Sequence, residues 1–529
     1  MQTESISGAN PLTGIPTDSR KDDRQYIPSF FVQDDWKLKP NLVVNLGIRW
    51  EYYEGMTEKS GNNPRLNLGS GSAMFTNLAI VLNQHQVDAQ KGNFGPQVGF
   101  AWSPMKFQNK LVLRGGIGIG FNGLEEAITT NTRFDPPFST NSNTLEGSQI
   151  IYGTCSNIYS YGCLPANPAL ISGFNSANLP TGGTATGITG VDNKLPTAYV
   201  YRYSLEAQYD VGHDWVATLG YAASNGRHLP LQYNLYDKYA PSILSGQVAF
   251  NPIVNSIDWY EDTGISSFNS LLAEMRHQFA HTFEADVQYR WAHSLDSGSG
   301  PYTEPDYQFL PGYNWGSSDF DSRNEIKMFG IWSPNFFHGN SLLEKTIGGW
   351  TASPIFNYHS GFPFNPTYGG ISCNAFYPNQ GDCNLRPSKY LGGAGTSQST
   401  DTFKTSAGHF PNGGTSYFIA PGVYSNPGSW NTSVAPTPTA LPGTPGIGRN
   451  AFVGPHYSDI DLALTKAFGL PNMKVIGEGG KLEIRANCFN LFNKLNIGGV
   501  DTNIPDANFG RATGVLGSRT IEGEFHFKF

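Results

Sequence analysis

The feature that most constrains this chain is an alternation of apolar and polar residues with a period of two. It recurs in segments of nine to twelve residues. In residues 41–52, Leu42, Val44, Leu46, Ile48, Trp50 and Tyr52 fall on one face. Asn41, Asn45, Gly47, Arg49 and Glu51 fall on the other, with Val43 the apolar exception. A helix would put such residues all round its axis, whereas a strand sorts them cleanly. Residues 110–121, 199–209, 283–291 and 520–529 repeat the pattern. Weaker versions lie at 25–37, 93–104, 214–224, 267–279, 325–334, 348–359, 457–468 and 480–491. Thirteen strands are therefore predicted. Each is about the length of 9–11 residues that a tilted strand needs to cross a bilayer.

The connections alternate as well. Short turns follow the strands ending near 37, 104, 210, 279, 334 and 468. Long loops run near 54–93, 122–197, 224–266, 293–325, 359–457 and 491–518. That asymmetry is the pattern of transmembrane barrels, with the turns periplasmic. With the chain ending on the periplasmic side, Trp36, Trp102, Trp215, Trp332 and Trp350 fall at the periplasmic strand ends. Trp50, Tyr52, Tyr221 and Trp291 fall at the outer ends. Two aromatic girdles are expected, with rings seated in the headgroup layers. The polar faces carry isolated charges, among them Arg49, Arg114, Glu206, Glu274, Asp286, Arg290 and Arg485. Burying each in a small core would be costly, so a wide aqueous lumen is expected.

Composition narrows the class. Charged residues are 14% of the 529 residues and aromatics 13%, against about 25% charged in ordinary soluble domains. No run of 18 apolar residues occurs, so no membrane-spanning helix is expected. A net charge of −8 argues against nucleic acid as a partner.

Several stretches resemble the C-terminal barrel of Oar-like TonB-dependent receptors. They are Tyr26-Ile27-Pro28-Ser29-Phe30-Phe31-Val32-Gln33-Asp34-Asp35-Trp36 with Asn45-Leu46-Gly47-Ile48-Arg49-Trp50-Glu51, and Tyr289-Arg290-Trp291-Ala292-His293-Ser294-Leu295-Asp296. Asp319-Phe320-Asp321, Gly348-Gly349-Trp350, Ser360-Gly361-Phe362-Pro363-Phe364, Gly448-Arg449-Asn450 and Phe489-Asn490-Leu491-Phe492-Asn493 follow in order. The closing alternation Phe525, Phe527, Phe529 looks like the signal read by the outer-membrane assembly machinery. The resemblance implies an all-β, transmembrane antiparallel barrel of 22 strands with an N-terminal plug, energised through TonB. It covers residues 25–529, leaving 1–24 as an N-terminal segment or loop remnant. No plug, TonB box or signal peptide is recognised, and a single-chain barrel needs an even strand count. The expectation is thus a partial barrel of about thirteen strands from a longer product, located in the cell outer membrane and surrounded by its lipid. A TonB complex would be its partner only if a longer chain supplies the plug. A self-contained porin or adhesin, and a secreted glycan-binding or hydrolytic β-protein, are the alternatives.

Cys155 and Cys163 lie close together in one polar loop, and Cys373 and Cys383 in another. Two loop disulfides in an oxidising compartment are expected, with free thiols as the alternative. Cys488 stands alone in a strand pattern. Tyr152, Tyr159 and Tyr161 flank the first pair, and Phe376 and Tyr377 lie inside the second. They are candidates for capturing a ligand such as a glycan or peptide, or for simple loop packing. No catalytic, cofactor or metal site is expected. His277 and His281 do not converge at strand spacing. Asp258, Glu261 and Asp262 read as a solvated loop, and Ser224-Asn225-Gly226-Arg227 as the start of one. No nucleophile elbow, zinc-protease helix or phosphate loop appears.

Overall fold

The computed structural model describes residues 22–137, 186–280, 282–300, 303–335, 346–372, 382–390, 443–469, 480–506 and 512–528, with short pieces elsewhere. Thirteen strands form one continuous sheet in sequence order. They are β1 (Ser29–Lys39), β2 (Leu42–Tyr53), β3 (Gln90–Trp102), β4 (Leu111–Asn122), β5 (Ala198–Gly212), β6 (Trp215–Asn234) and β7 (Val254–Ala280). They continue with β8 (Phe283–Asp296), β9 (Asn324–Trp332), β10 (Trp350–His359), β11 (Tyr457–Gly469), β12 (Lys481–Phe489) and β13 (Thr520–Lys528). Every neighbouring pair is antiparallel. Among the described residues β1 and β13 are the two edges, and the sheet is open. All thirteen predicted strands are present.

Register turns the alternation into two faces. Phe30, Trp50 and Phe94 stand side by side across β1, β2 and β3, with Phe30 and Trp50 stacked at 5.9 Å. Leu205, Tyr221, Leu271 and Trp291 form a similar row across β5 to β8. Large apolar side chains along this face are exposed, including Val32, Ile48, Val98, Ile117, Leu219, Met275, Phe525 and Phe527. An apolar surface of this extent belongs against lipid rather than water. Trp36, Trp102, Trp215, Trp332 and Trp350 lie at the short-turn end, and Trp50 and Trp291 toward the other. Phe529 lies outside the described residues. Lys466 sits on the apolar face at the short-turn end, level with Trp350. Its ammonium is buried over the Phe468 ring, 4.9 Å from the centroid, where cation–π attraction partly offsets its desolvation.

The opposite face carries the charges, and they pair across strands or, for Glu325 and Lys327, along one strand. Arg114 meets Glu206 at 3.2 Å, Lys327 meets Glu325 at 2.6 Å, and Lys528 meets Glu483 at 2.7 Å. β4 presents Gly116, Gly118 and Gly120 here, beside Gly99 of β3. β4 itself puts no side chain on this stretch of the charged face, though Gln97 of β3 leans over Gly118. A methyl added at Gly120 would meet no atom within 4 Å, and one at Gly118 would reach Gln97 at 3.0 Å.

The main departure from the sequence reading is in length. β6 has 20 residues and β7 has 27, which at about 3.4 Å per residue runs far beyond a bilayer core. The segment Ser224–Arg227, read as a loop start, lies inside β6. Asp258, Glu261 and Asp262, read as a solvated loop, lie inside β7. Thr186–Val191 pairs in parallel with this extension of β7. The projecting strands support packed layers at the long-loop end. Phe75, Leu78, Ile80, Leu235, Tyr236 and Ile257 form one buried core, with Phe75 edge-on to Tyr236 at 5.0 Å. Tyr307, Leu385, Phe452 and Ile504 belong to a second. Phe309 packs against both.

Candidate ligand site at the long-loop end of the sheet

Between this packed cap and the charged face lies a cavity of about 310 Å³. The strands deliver its walls. Tyr53 ends β2, Asn122 ends β4, Ala198 begins β5, and Asp296 ends β8. Period-two alternation points all of them to the charged side. Leu195 and Val87 connect the cavity to a third buried cluster with Ile128, Val191 and Tyr260. That cluster fixes the walls from behind. Apolar side chains, including Leu124, Leu229 and Phe320, share the lining with Glu54, Asp88, Glu125, Glu126 and Asp296.

The carboxylates differ in their partners. Arg65 holds Asp88 at 3.2 Å. Arg449 pairs with Asp296, donates to the Asp296 carbonyl at 3.0 Å, and reaches Ser299 Oγ at 2.8 Å and Asp319 at 3.0 Å. Glu54 accepts from the backbone N–H of Tyr26 at 3.2 Å. Glu125 and Glu126 sit at the start of the short helix Glu126–Thr130, both exposed. Among the described residues no Lys or Arg lines the cavity. His228, on its rim, shares its Nδ1 with Asp262 at 2.6 Å.

A second cavity of about 510 Å³ lies further along the same face, lined by Asn45, Arg114, Glu206, Arg290, Glu325 and Lys327. Here each carboxylate has its cation, Glu325 pairing with both Arg290 and Lys327. The glycine wall at Gly116, Gly118 and Gly120 runs from this cavity toward Asn122 in the first.

Within the cap, two acids interact through their charges. Glu304 accepts from Gln232 at 3.0 Å and from Gln308 at 3.2 Å. Asp258 lies near it. Burial, then the charge of Glu304, pushes the Asp258 carboxyl up to about 7. Burial raises Glu304 too, against the hydrogen bonds from the two glutamines. Arg386 is fully buried in the second core, donating to Asp306 at 3.1 Å and to the Ile447 and Tyr313 carbonyls. Asp321 accepts from Ser294 N–H at 2.7 Å and bonds His293 at 3.0 Å, so it braces a turn. Among the described residues no group of three or more His, Cys, Asp or Glu converges for a metal ion.

The side chains of Cys155, Cys163, Cys373, Cys383, Tyr152, Tyr159, Tyr161, Phe376 and Tyr377 lie outside the described residues. Cys488 is a free thiol in β12. Glu54, Glu125, Glu126 and Phe320 were not singled out as ligand contacts from sequence. Only Glu54, directly after β2, had a place that the strand pattern could mark; Glu125, Glu126 and Phe320 lie in segments between strands.

The family model of the outer membrane beta barrel domain matches residues 7–522. The chain belongs to that family. Its apolar face therefore meets the lipid of the outer membrane, and its long-loop end is extracellular. Among solved structures, the outer membrane transporter YddB from Escherichia coli is 10% identical. The match covers 94% of this chain and 53% of that one, with a TM-score of 0.43. The ferripyoverdine receptor of Pseudomonas aeruginosa, bound to ferripyoverdine, is 10% identical over 96% of this chain and 39% of that one, TM-score 0.42. A variant of the ferric enterobactin receptor PfeA of Pseudomonas aeruginosa, in complex with enterobactin, is 12% identical over 97% and 47%, TM-score 0.42. The chain spans about half the length of these structures or less. No curated protein matches it.

Proposed function

We propose that this outer-membrane barrel chain works in ligand uptake as the C-terminal part of a TonB-dependent receptor of the Oar-like group, and that it is not an enzyme. The observation that carries this reading is the roofed cavity at the extracellular mouth, continued by the glycine wall of β4 toward the interior. A ligand is captured under the cap and passed along the charged face. Residues 25–529 supply the capture surface and part of a larger wall, on the pattern of 22 strands. A longer product supplies the remaining strands and the plug. TonB acts on that plug, so this chain alone moves nothing.

The test is the mass and conductance of the native protein. An antibody to residues 443–450 is applied to isolated outer membranes, and the captured protein is placed in planar bilayers. A species well above 57.7 kDa without a steady open pore is the expected result. A species at that mass giving a steady conductance would overturn the receptor reading in favour of a diffusion porin.

A further inference from the structure

The mouth cavity carries an assignment of its own, which rests on the uptake reading and names the ligand class. We infer that this cavity selects a cationic amphiphile, a molecule with one or more amino or guanidino groups on an apolar body.

The argument is one of unmatched charge. Glu54, Glu125 and Glu126 line the cavity, and none is ion-paired among the described residues. The neighbouring acids Asp88 and Asp296 already have their arginines. The rim histidine is matched by Asp262. The cavity thus holds a surplus of negative charge against walls of low polarity, at Leu195, Leu229 and Phe320. Low-dielectric walls focus such a field and raise the local concentration of cations. An anionic ligand would enter against three carboxylates, and among the described residues no Lys or Arg lines the space to receive it. The second cavity forms the contrast. There three cations, Arg114, Arg290 and Lys327, meet two carboxylates, Glu206 and Glu325, so no carboxylate is left unmatched and the balance is positive. The surplus is therefore a property of the mouth and not of the whole face. Size agrees with the class, because about 310 Å³ falls at the small end of ordinary ligand cavities.

The experiment uses the native protein purified from outer membranes in detergent, titrated calorimetrically with two peptides. The probes are Lys-Trp-Lys amide and N-acetylated Glu-Trp-Glu, alike in size and opposite in charge. The cationic peptide is expected to bind at least about tenfold more tightly, and raised salt should weaken it. A variant with Glu54→Gln, Glu125→Gln and Glu126→Gln together should lose about tenfold or more of that affinity. Its cap is checked by protease resistance. If that variant fails to fold, the comparison of the two peptides on the native protein decides by itself. Equal affinities, an anionic preference, or binding of neither peptide would each overturn the assignment. None of those outcomes touches the receptor reading, which stands or falls on mass and conductance.

Discussion

The wall and the cap of this molecule are built for different solvents. Along the wall, Ile117, Leu205 and Phe525 are more than half exposed, and the strands carry no core of their own. In the cap, Phe75 and Tyr236 are completely buried. Lipid tails are as apolar as leucine, so no hydrophobic force presses the wall together. It holds because every broken ladder bond would leave an unsatisfied group in hydrocarbon. The cap stands in water and holds by burying apolar area in the ordinary way. One chain thus contains two units whose stabilities answer to different causes, joined by the continuous strands β6 and β7.

The largest separation of the two should come from the cap core. Phe75→Ala removes a ring that touches Tyr236 and Tyr239 and should cost about 3–5 kcal/mol. Limited proteolysis should then cut between residues 235 and 257, while the heat-modifiable mobility of the wall on gels stays as before. Loss of both together would show that the two units do not melt separately. The reverse test is Ile117→Arg on the lipid face, expected to cost about 2–4 kcal/mol near the bilayer midplane. It should lower yield in the membrane and heat resistance, yet leave cap proteolysis unchanged in the molecules that insert.

A smaller effect sharpens the comparison through pH. Asp258 has a carboxyl raised to about 7, so the folded cap holds its proton where the unfolded chain, near 4, has released it. The native state then binds more protons between those values, and stability falls as pH rises through that window. Between pH 5.5 and 8 the loss is about 2 kcal/mol, at about 1.4 kcal/mol per unit over the part of the window crossed. The cap should resist protease better at pH 5.5, and Asp258→Asn should remove the difference. A pH dependence that survives this substitution would place the titrating group elsewhere.

The same division explains what the sequence made legible. Lipid on one side and water on the other impose strict alternation, so each of the thirteen strands could be read locally. Beyond the membrane that constraint ends. Ile257, Trp259 and Tyr260 are all buried in the cap, and the register of β6 shifts between Gly226 and Leu229. The period is lost there, which is why β6 and β7 read short and Asp258 read as solvated. Its closeness to Glu304 carries no local signal, because 46 residues separate them. The mouth cavity was hidden for the same reason. Its acids come from three strand ends and one short helix, and only the register of the sheet brings them together.

One consequence of the open sheet concerns direction. Antiparallel neighbours alternate up and down, so in a run of thirteen the first strand and the last point the same way. β1 and β13 could meet each other only as a parallel pair. The same holds at every seam of a ring made from several copies inserted in one orientation, however many are used. A wall that is antiparallel all round therefore takes an odd number of further strands between β13 and β1. Nine satisfies this for a ring of 22, and a ring of two copies, though its total is even, does not.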